Sequence, residues 1–202
     1  MKLYYAPGAC SLSPHIALLE AGLPFTTEKV DLRAKTTASG ADYNAINPRG
    51  YVPALELDNG QILTEGPAIV QYIASQAPDK HLVPPPHSIE HYQLLERLNF
   101  ISTEIHKGFG PLFNPASSDD AKQAARAQLD KRFGHAAQLL EGHDYLVGGR
   151  FSVADGYLFV MLSWTDKIGI DLSKWPVLQA FKARIAARPA VQQALSDEGL
   201  LK

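Results

Sequence analysis

The chain has 202 residues, 46% of them hydrophobic and 20% charged, with a net charge of −2. That is enough for one large or two small domains with real cores, and the absence of a basic excess argues against nucleic acid or a membrane surface as partner. No apolar run approaches the about 18 residues needed to span a bilayer. The single cysteine, Cys10, rules out an internal disulfide, so a reducing cytoplasm is the expected compartment. Met1-Lys2-Leu3 leads straight into a strand pattern, which predicts no signal peptide.

Lys2 to Tyr5 is β-prone and ends at Pro7-Gly8, the mark of a first strand. Ile16, Leu19 and Leu23 then recur at helical spacing, so Ser11 to Gly22 reads as a helix with Cys10 at its N-terminus. Unpaired N–H groups and the positive end of the helix dipole favour thiolate there, a reactive sulfur; the alternative is a packed apolar cysteine. Thr26 to Asp31 reads as a second strand and Ala38 to Asn44 as a short helix. Asn47 to Pro53 is a segment of turn formers. Ala54 to Leu57 and Gln61 to Leu63 flank Asp58-Asn59-Gly60, a strong hairpin signal. Glu65 to Gln76 reads as a helix with Ile69, Val70, Tyr72 and Ile73 inward. The order β-α-β-α-β-β-α predicts a mixed sheet with one hairpin.

Ala77 to Lys80 and Val83 to Pro86 read as linker, because three consecutive prolines cannot continue a helix. The remainder is helical in pattern, over 88–109, 119–141, 152–168, 175–187 and 190–197. Ser152-Val153-Ala154-Asp155 is a capping box with Asp in place of the usual Glu, and Pro189 fits a first helical turn. The predicted division is an α/β domain over 1–80, a linker over 81–86 and an all-helical domain over 87–202. On the first long helix Leu94, Leu98, Ile101 and Ile105 form an apolar stripe, and Asn99, Thr103 and His106 a polar one. His87 and His91 stand four apart, but no third ligand follows, so no metal site is expected.

A strand–helix unit with a cysteine at its first helix N-terminus resembles a thioredoxin-fold domain. With the helical domain added, the chain is similar to a cytosolic glutathione transferase of the bacterial beta class. The residues that carry the likeness are Tyr5, Gly8-Ala9-Cys10-Ser11, Asn47-Pro48-Arg49-Gly50, Val52-Pro53, Thr64-Glu65-Gly66, His106-Lys107 and Ser152 to Asp155, in order along the whole chain. The resemblance implies a thioredoxin-like glutathione-binding domain followed by a helical substrate-binding domain. It implies a cis Pro53, with the Val52 backbone pairing the cysteine of glutathione as an added strand. It places a ligand carboxylate at Glu65-Gly66, where many relatives carry Ser and Gly66 offers only backbone. Ala9 and Gly50 contact glutathione on this reading, and Lys35 meets its glycine-end carboxylate. His106 faces the sulfur, to donate a hydrogen bond or move a proton, with Asn99 and Thr103 on the same face and Lys107 adding positive potential. Glu104 reaches the γ-glutamyl ammonium of the neighbouring subunit's ligand, and Trp164 walls the cleft. Tyr5 and Ser11 supply the hydroxyls that other classes use. The capping helix of the family often carries a hydrophobic staple; Phe151 is present and its partner position is Gly156, so the expectation is weaker local helix support or substitution by Tyr157.

The function these residues imply is conjugation of the glutathione thiolate to small hydrophobic electrophiles, in detoxification or aromatic catabolism. Phe109, Phe113 and Trp164 point to an apolar, aromatic substrate. A homodimer is expected, with glutathione as co-substrate and no metal. Two alternatives stand beside it. One is thiol–disulfide exchange or reductive dehalogenation through a mixed disulfide of Cys10 and glutathione. The other is a non-catalytic binding protein, against which the retained Cys10, Val52-Pro53, Glu65 and His106 argue.

Overall fold

Lys2–Tyr5 (β1) is the middle strand of a five-stranded sheet in the computed structural model, which describes residues 1–201. It runs parallel to Thr26–Asp31 (β2) and antiparallel to Ala54–Glu56 (β4), with Leu3 opposite Thr27 on one side and Leu55 on the other. Ile62–Thr64 (β5) closes the hairpin with β4, and Thr36–Thr37 (β3) adds an outer strand beside β2, giving the order β3-β2-β1-β4-β5. Leu12–Ala21 (α1) packs against Gly66–Ser75 (α3), and Leu3, Ile16, Leu18, Leu55, Ile69 and Ile73 are fully buried around them. This is the expected mixed sheet, with one strand more than the sequence pattern announced. β3 is only two threonines, too short to show an alternation. It forms because Asp31 accepts the N–H groups of Arg33 and Ala34 and folds the chain back. The short helix also lies later than expected, at Tyr43–Ile46 (α2), where Asp42 caps it through the Asn44 N–H.

Two compact units result: Met1–Val83 with the C-terminal segment from Ala187, and Pro84–Ala186. The last helix, Pro189–Asp197 (α9), packs on α1. The C-terminal segment, read from its helical pattern as part of the all-helical domain, thus sits with the α/β unit. Helical periodicity reports that a segment has an apolar face, not which core receives it.

The second unit contains Ile89–Phe100 (α4), Gly110–Phe113 (α5), Asp119–Leu140 (α6), Val153–Ile168 (α7) and Pro176–Ala186 (α8). Between α4 and α5 the chain stays helical but changes pitch. Ile101–His106 is a π turn and Lys107–Phe109 a 3₁₀ turn. Gly108 allows close packing there, since a Cβ would stand 2.9 Å from Leu129 Cδ2 on α6. The capping box at α7 forms as expected. Asp155 is fully buried and accepts the Ser152 N–H and hydroxyl at 2.8 and 2.7 Å and the Leu146 N–H at 2.8 Å. The staple is different: Phe151 meets the Tyr145 ring edge-on, and the Tyr157 hydroxyl is hydrogen-bonded to His106. Among the described residues no helix is long and apolar enough to cross a membrane.

Candidate active site

In the α/β unit the candidate residues converge on the turn between β1 and α1. The Ala9 N–H donates to the Ala6 carbonyl and the Leu12 N–H to Ala9, both at 3.0 Å, winding residues 6–12 into a compact bend. Half-buried Cys10 stands just before α1, and its Sγ lies 3.2 Å from the Val52 carbonyl, to which it donates. The Val52–Pro53 bond is cis.

Ser11 is used otherwise. It is fully buried, and its Oγ accepts the Ala6 N–H at 3.1 Å while its hydroxyl donates to the Ala6 carbonyl at 3.2 Å. Those bonds stitch the turn closed. Tyr5 faces away from a catalytic role as well. Its ring centroid is 6.1 Å from that of His15, and burial, then the charges of Glu198 and Asp197, push the phenol up from its ordinary value. A phenol so disposed holds its proton.

The segment after α2 is pinned by its own side chains. The Tyr51 carbonyl accepts the Tyr43 hydroxyl at 2.7 Å and the Asn47 side-chain amide at 2.8 Å. Lys35 sits at φ +58° and its Nζ donates to the Gly50 carbonyl at 2.8 Å. Gly50 is required where it stands: its φ is +63°, and a Cβ would fall 3.0 Å from Asn44 Oδ1 and 3.2 Å from Lys35 Nζ. Glu65 adopts φ +68°, a strained conformation for a residue with a side chain. Its carboxylate turns outward to Arg49 at 2.7 Å and makes no cap bond to α3. Pro67 has no N–H, and the Ala68 and Ile69 N–H groups both donate to the Glu65 carbonyl at 3.0 Å, so at the start of α3 the Gly66 N–H is the donor that no side chain caps. Open space lies beside Gly66.

Two residues outside the predicted set hold this turn from behind. Glu198, just past α9, accepts the Gly8 N–H at 2.8 Å through Oε2, and its Oε1 is 3.0 Å from His15 Nδ1. His15 and Glu198 are both buried, with the Phe25 ring edge-on to the imidazole at 5.6 Å. The turn carrying Cys10 is thus fastened to a residue nearly two hundred positions away. The sequence carried no signal for this. Chain order leaves His15 and Glu198 183 positions apart.

In the helical unit the π turn ends on His106. Its Nδ1 is 2.7 Å from the Tyr157 hydroxyl, and its ring lies edge-on to Trp164 at 5.0 Å. Burial, and secondarily the charge of Lys107, push the imidazole down to about 4, so it is neutral at physiological pH. Trp164 is buried and joins fully buried Phe109 and exposed Phe113 in one aromatic cluster. Lys107 is exposed. Asn99 and Thr103 face solvent and bond back to their own helix, Asn99 to the Leu95 carbonyl and Thr103 to that of Asn99. Glu104 is paired with Arg132 of the same chain at 2.5 Å. Among the described residues no group of three metal-binding side chains occurs.

The fold and the sequence as a whole have close parallels. Residues 8–76 match the glutathione S-transferase N-terminal domain and residues 100–189 the C-terminal domain of the same family. The chain is 48% identical to glutathione S-transferase GstA of Escherichia coli O157:H7, over 99% of this chain and all of the relative. The chain belongs to the glutathione S-transferase family. Transfer of the glutathione thiol is accordingly its enzymatic activity. The bacterial GST BphK, solved as a ternary complex, superposes with a TM-score of 0.98 at 61% identity, over 99% of this chain and 100% of that one. A bacterial beta-class glutathione S-transferase from Sphingomonas chungbukensis does so with a TM-score of 0.97 at 50% identity, over the full length of both chains. The glutathione S-transferase family thus accounts for both units of the chain.

Proposed function

We propose that this glutathione transferase binds glutathione extended along the segment before β4 and conjugates it to small apolar electrophiles. The observation that carries the reading is the 3.2 Å contact between Cys10 Sγ and the Val52 carbonyl. The main chain positioned to pair a peptide ligand and the one cysteine of the protein lie within hydrogen-bond reach of each other. A glutathione whose cysteine pairs with Val52 delivers its own sulfur beside Cys10. Its carboxylates have matching donors in the first turn of α3, with Gly66 contributing backbone, and in Lys35. The turn at Ala9, Gly50 and Pro53 supplies the walls. His106 acts on the thiol, by donating a hydrogen bond or moving its proton, and Trp164 with Phe113 offers an aromatic surface for the electrophile. Lys107 contributes positive potential, and Asn99, Thr103 and Glu104 extend the polar helix face.

Cys10 adds a second use of the same site. Its thiolate attacks one sulfur of oxidised glutathione, the S–S bond breaks, and one glutathione leaves as thiolate while the other stays bound to Cys10. Thiol exchange and reductive dehalogenation both pass through such a mixed disulfide. Incubation with oxidised glutathione is expected to give one adduct in the intact-protein mass spectrum, removed by reductant and absent in Cys10→Ala. An unmodified mass would refute the covalent use. Loss of aryl halide conjugation is a separate readout, and a wild type that conjugates no aryl halide would refute the transferase assignment of substrate.

The active species is a homodimer in the cytoplasm on this reading. Exposed Tyr51 in one unit and Ile89 and Tyr92 in the other are large apolar side chains that a second copy would cover. Light scattering should report about twice the 22.0 kDa chain mass at micromolar concentration, and a monomer would contradict it.

A further inference from the structure

The Val52 carbonyl has two claimants within the α/β unit. One is the Cys10 thiol, which donates to it at 3.2 Å. The other is the N–H of the glutathione cysteine, because a peptide added as a strand exchanges N–H and C=O groups with the chain it lies against. The claimants are unequal. An amide N–H is a good donor and a thiol S–H a weak one, so the ligand wins the acceptor.

We propose that the Val52 carbonyl is a ligand-released clamp on Cys10: it holds the sulfur as a thiol until the main chain of a glutathionyl ligand takes over the carbonyl, and that exchange frees the sulfur to act as thiolate.

Two influences of opposite sign meet at the sulfur. Cys10 stands just before α1, whose unpaired N–H groups and dipole favour thiolate. The bond that the thiol donates favours the neutral form. A thiolate has no hydrogen to donate and would set its charge against the negative end of the carbonyl. Handing the carbonyl to a ligand N–H removes the second influence and leaves the first. The Cys10 proton then goes to water, and the electron pair stays on sulfur. The carbonyl itself is fixed. Val52 is buried among Tyr4, Val30, Tyr43 and Ala54, and the Tyr51 carbonyl before it is held by Tyr43 and Asn47 at 2.7 and 2.8 Å. The Cys10 turn is fixed as well, by Ser11 and Glu198. A ligand therefore changes the donor at Val52 and not the frame around it. The titratable groups around this frame are Tyr43, pushed up by burial and then by charge on Cys10, Lys35 on the Gly50 carbonyl, and Tyr5, His15 and Glu198 packed together behind the turn. They belong to the enzyme with and without ligand, so a comparison of the two isolates the exchange at Val52. The clamp keeps an oxidisable sulfur protonated until its disulfide partner is seated. It rests on the pairing of glutathione with Val52 proposed above.

The test uses the full-length enzyme with ¹³C at the cysteine Cβ, where Cys10, the one cysteine of the chain, gives the signal without assignment. The probe is γ-glutamyl-α-aminobutyryl-glycine, which is glutathione with a methyl group in place of the thiol. It can pair with Val52 but cannot react with Cys10. The Cβ shift followed against pH reads thiol and thiolate. One hydrogen bond is worth about 0.5–1.5 kcal/mol, so saturating probe should lower the Cys10 midpoint by up to about one pH unit. The S–H infrared band, taken as a difference against Cys10→Ala, gives the second arm. It should lie at the lower frequency of a bonded thiol in the enzyme alone and move up when the probe is added. An unbonded band in the enzyme alone would overturn the proposal. So would a midpoint that stays or rises while the Val52 carbonyl ¹³C signal shows the probe in place. A Val52 carbonyl signal unmoved by saturating probe is a different failure: it refutes the pairing of glutathione with Val52, and the clamp with it.

Discussion

The turn that carries Cys10 and the turn that carries His106 hold a proposed site residue in opposite ways. Around Cys10 the fixing contacts are polar and go to backbone: Ser11 to Ala6, Glu198 to Gly8, and the sulfur itself to the Val52 carbonyl. Around His106 the fixing contacts are aromatic, with the Tyr157 hydroxyl hydrogen-bonded to the ring. The first is a tight bend whose peptide groups need partners, so each buried N–H is matched to an acceptor. The second is a helix whose backbone is satisfied internally, so orientation has to come from packing. The π turn at Ile101–His106 adds to this by changing the pitch just where His106 emerges. A backbone-held site fails when a hydrogen-bond partner is removed. A packing-held site fails when its protonation or shape is changed.

The largest expected effect breaks the first of these. Glu198→Ala removes two buried hydrogen bonds at once, those to the Gly8 N–H and to His15 Nδ1. At about 1–3 kcal/mol for each buried bond to a charged group, the loss of stability should be about 2–6 kcal/mol by urea titration. Substitutions at Tyr157 and His106 should lack this penalty at neutral pH. A Glu198→Ala protein as stable as wild type would mean that the C-terminal residue is not what holds the turn.

The next prediction uses acid to sharpen the contrast within the helical unit. The His106 imidazole is pushed from 6.5 down to about 4, so the unfolded chain binds its proton first as pH falls. Stability from this group is complete above 6.5 and is lost between 6.5 and 4. Asp155 is pushed the other way, from 3.8 up to about 6, because burial outweighs the donors around it. Here the folded state takes the proton first, and stability is gained as pH falls from 6 to 3.8. Each amounts to about 3 kcal/mol, and they nearly cancel in the wild type. His106→Phe should therefore grow more stable toward pH 4 relative to wild type, and Asp155→Asn less stable. Unfolding free energies measured from pH 7 to pH 4 would run parallel in the two variants if this account is wrong.

The smallest effect concerns the α3 terminus, where backbone alone awaits a ligand. Gly66→Ser adds a hydroxyl into open space. One added hydrogen bond of about 1 kcal/mol should tighten glutathione binding about fivefold by calorimetry, with little change in melting. Unchanged affinity would show that no ligand oxygen comes within reach of that position.

Much of this molecule was legible from its residues. The strands around Leu3 and Leu55, the Asn59-Gly60 hairpin, the capping box at Ser152 and the position of Cys10 before α1 are all set by neighbours within a few residues. Local propensity and turn chemistry act over that range, and so the sequence by itself determined them. The family followed from the ordered set of motifs for the same reason. The partners that make the site were another matter. Whether the Ser11 hydroxyl is at hand for a thiol or stitches a turn depended on where Ala6 came to lie, and whether His106 is charged depended on how deeply it is buried. The attachment of Glu198 to Gly8, the extra strand at Thr36–Thr37 and the hydrogen bond between Tyr157 and His106 join positions that chain order leaves far apart or too short to pattern. Hydrogen bonding and burial are properties of proximity in space, and only the tertiary structure decides which groups share it.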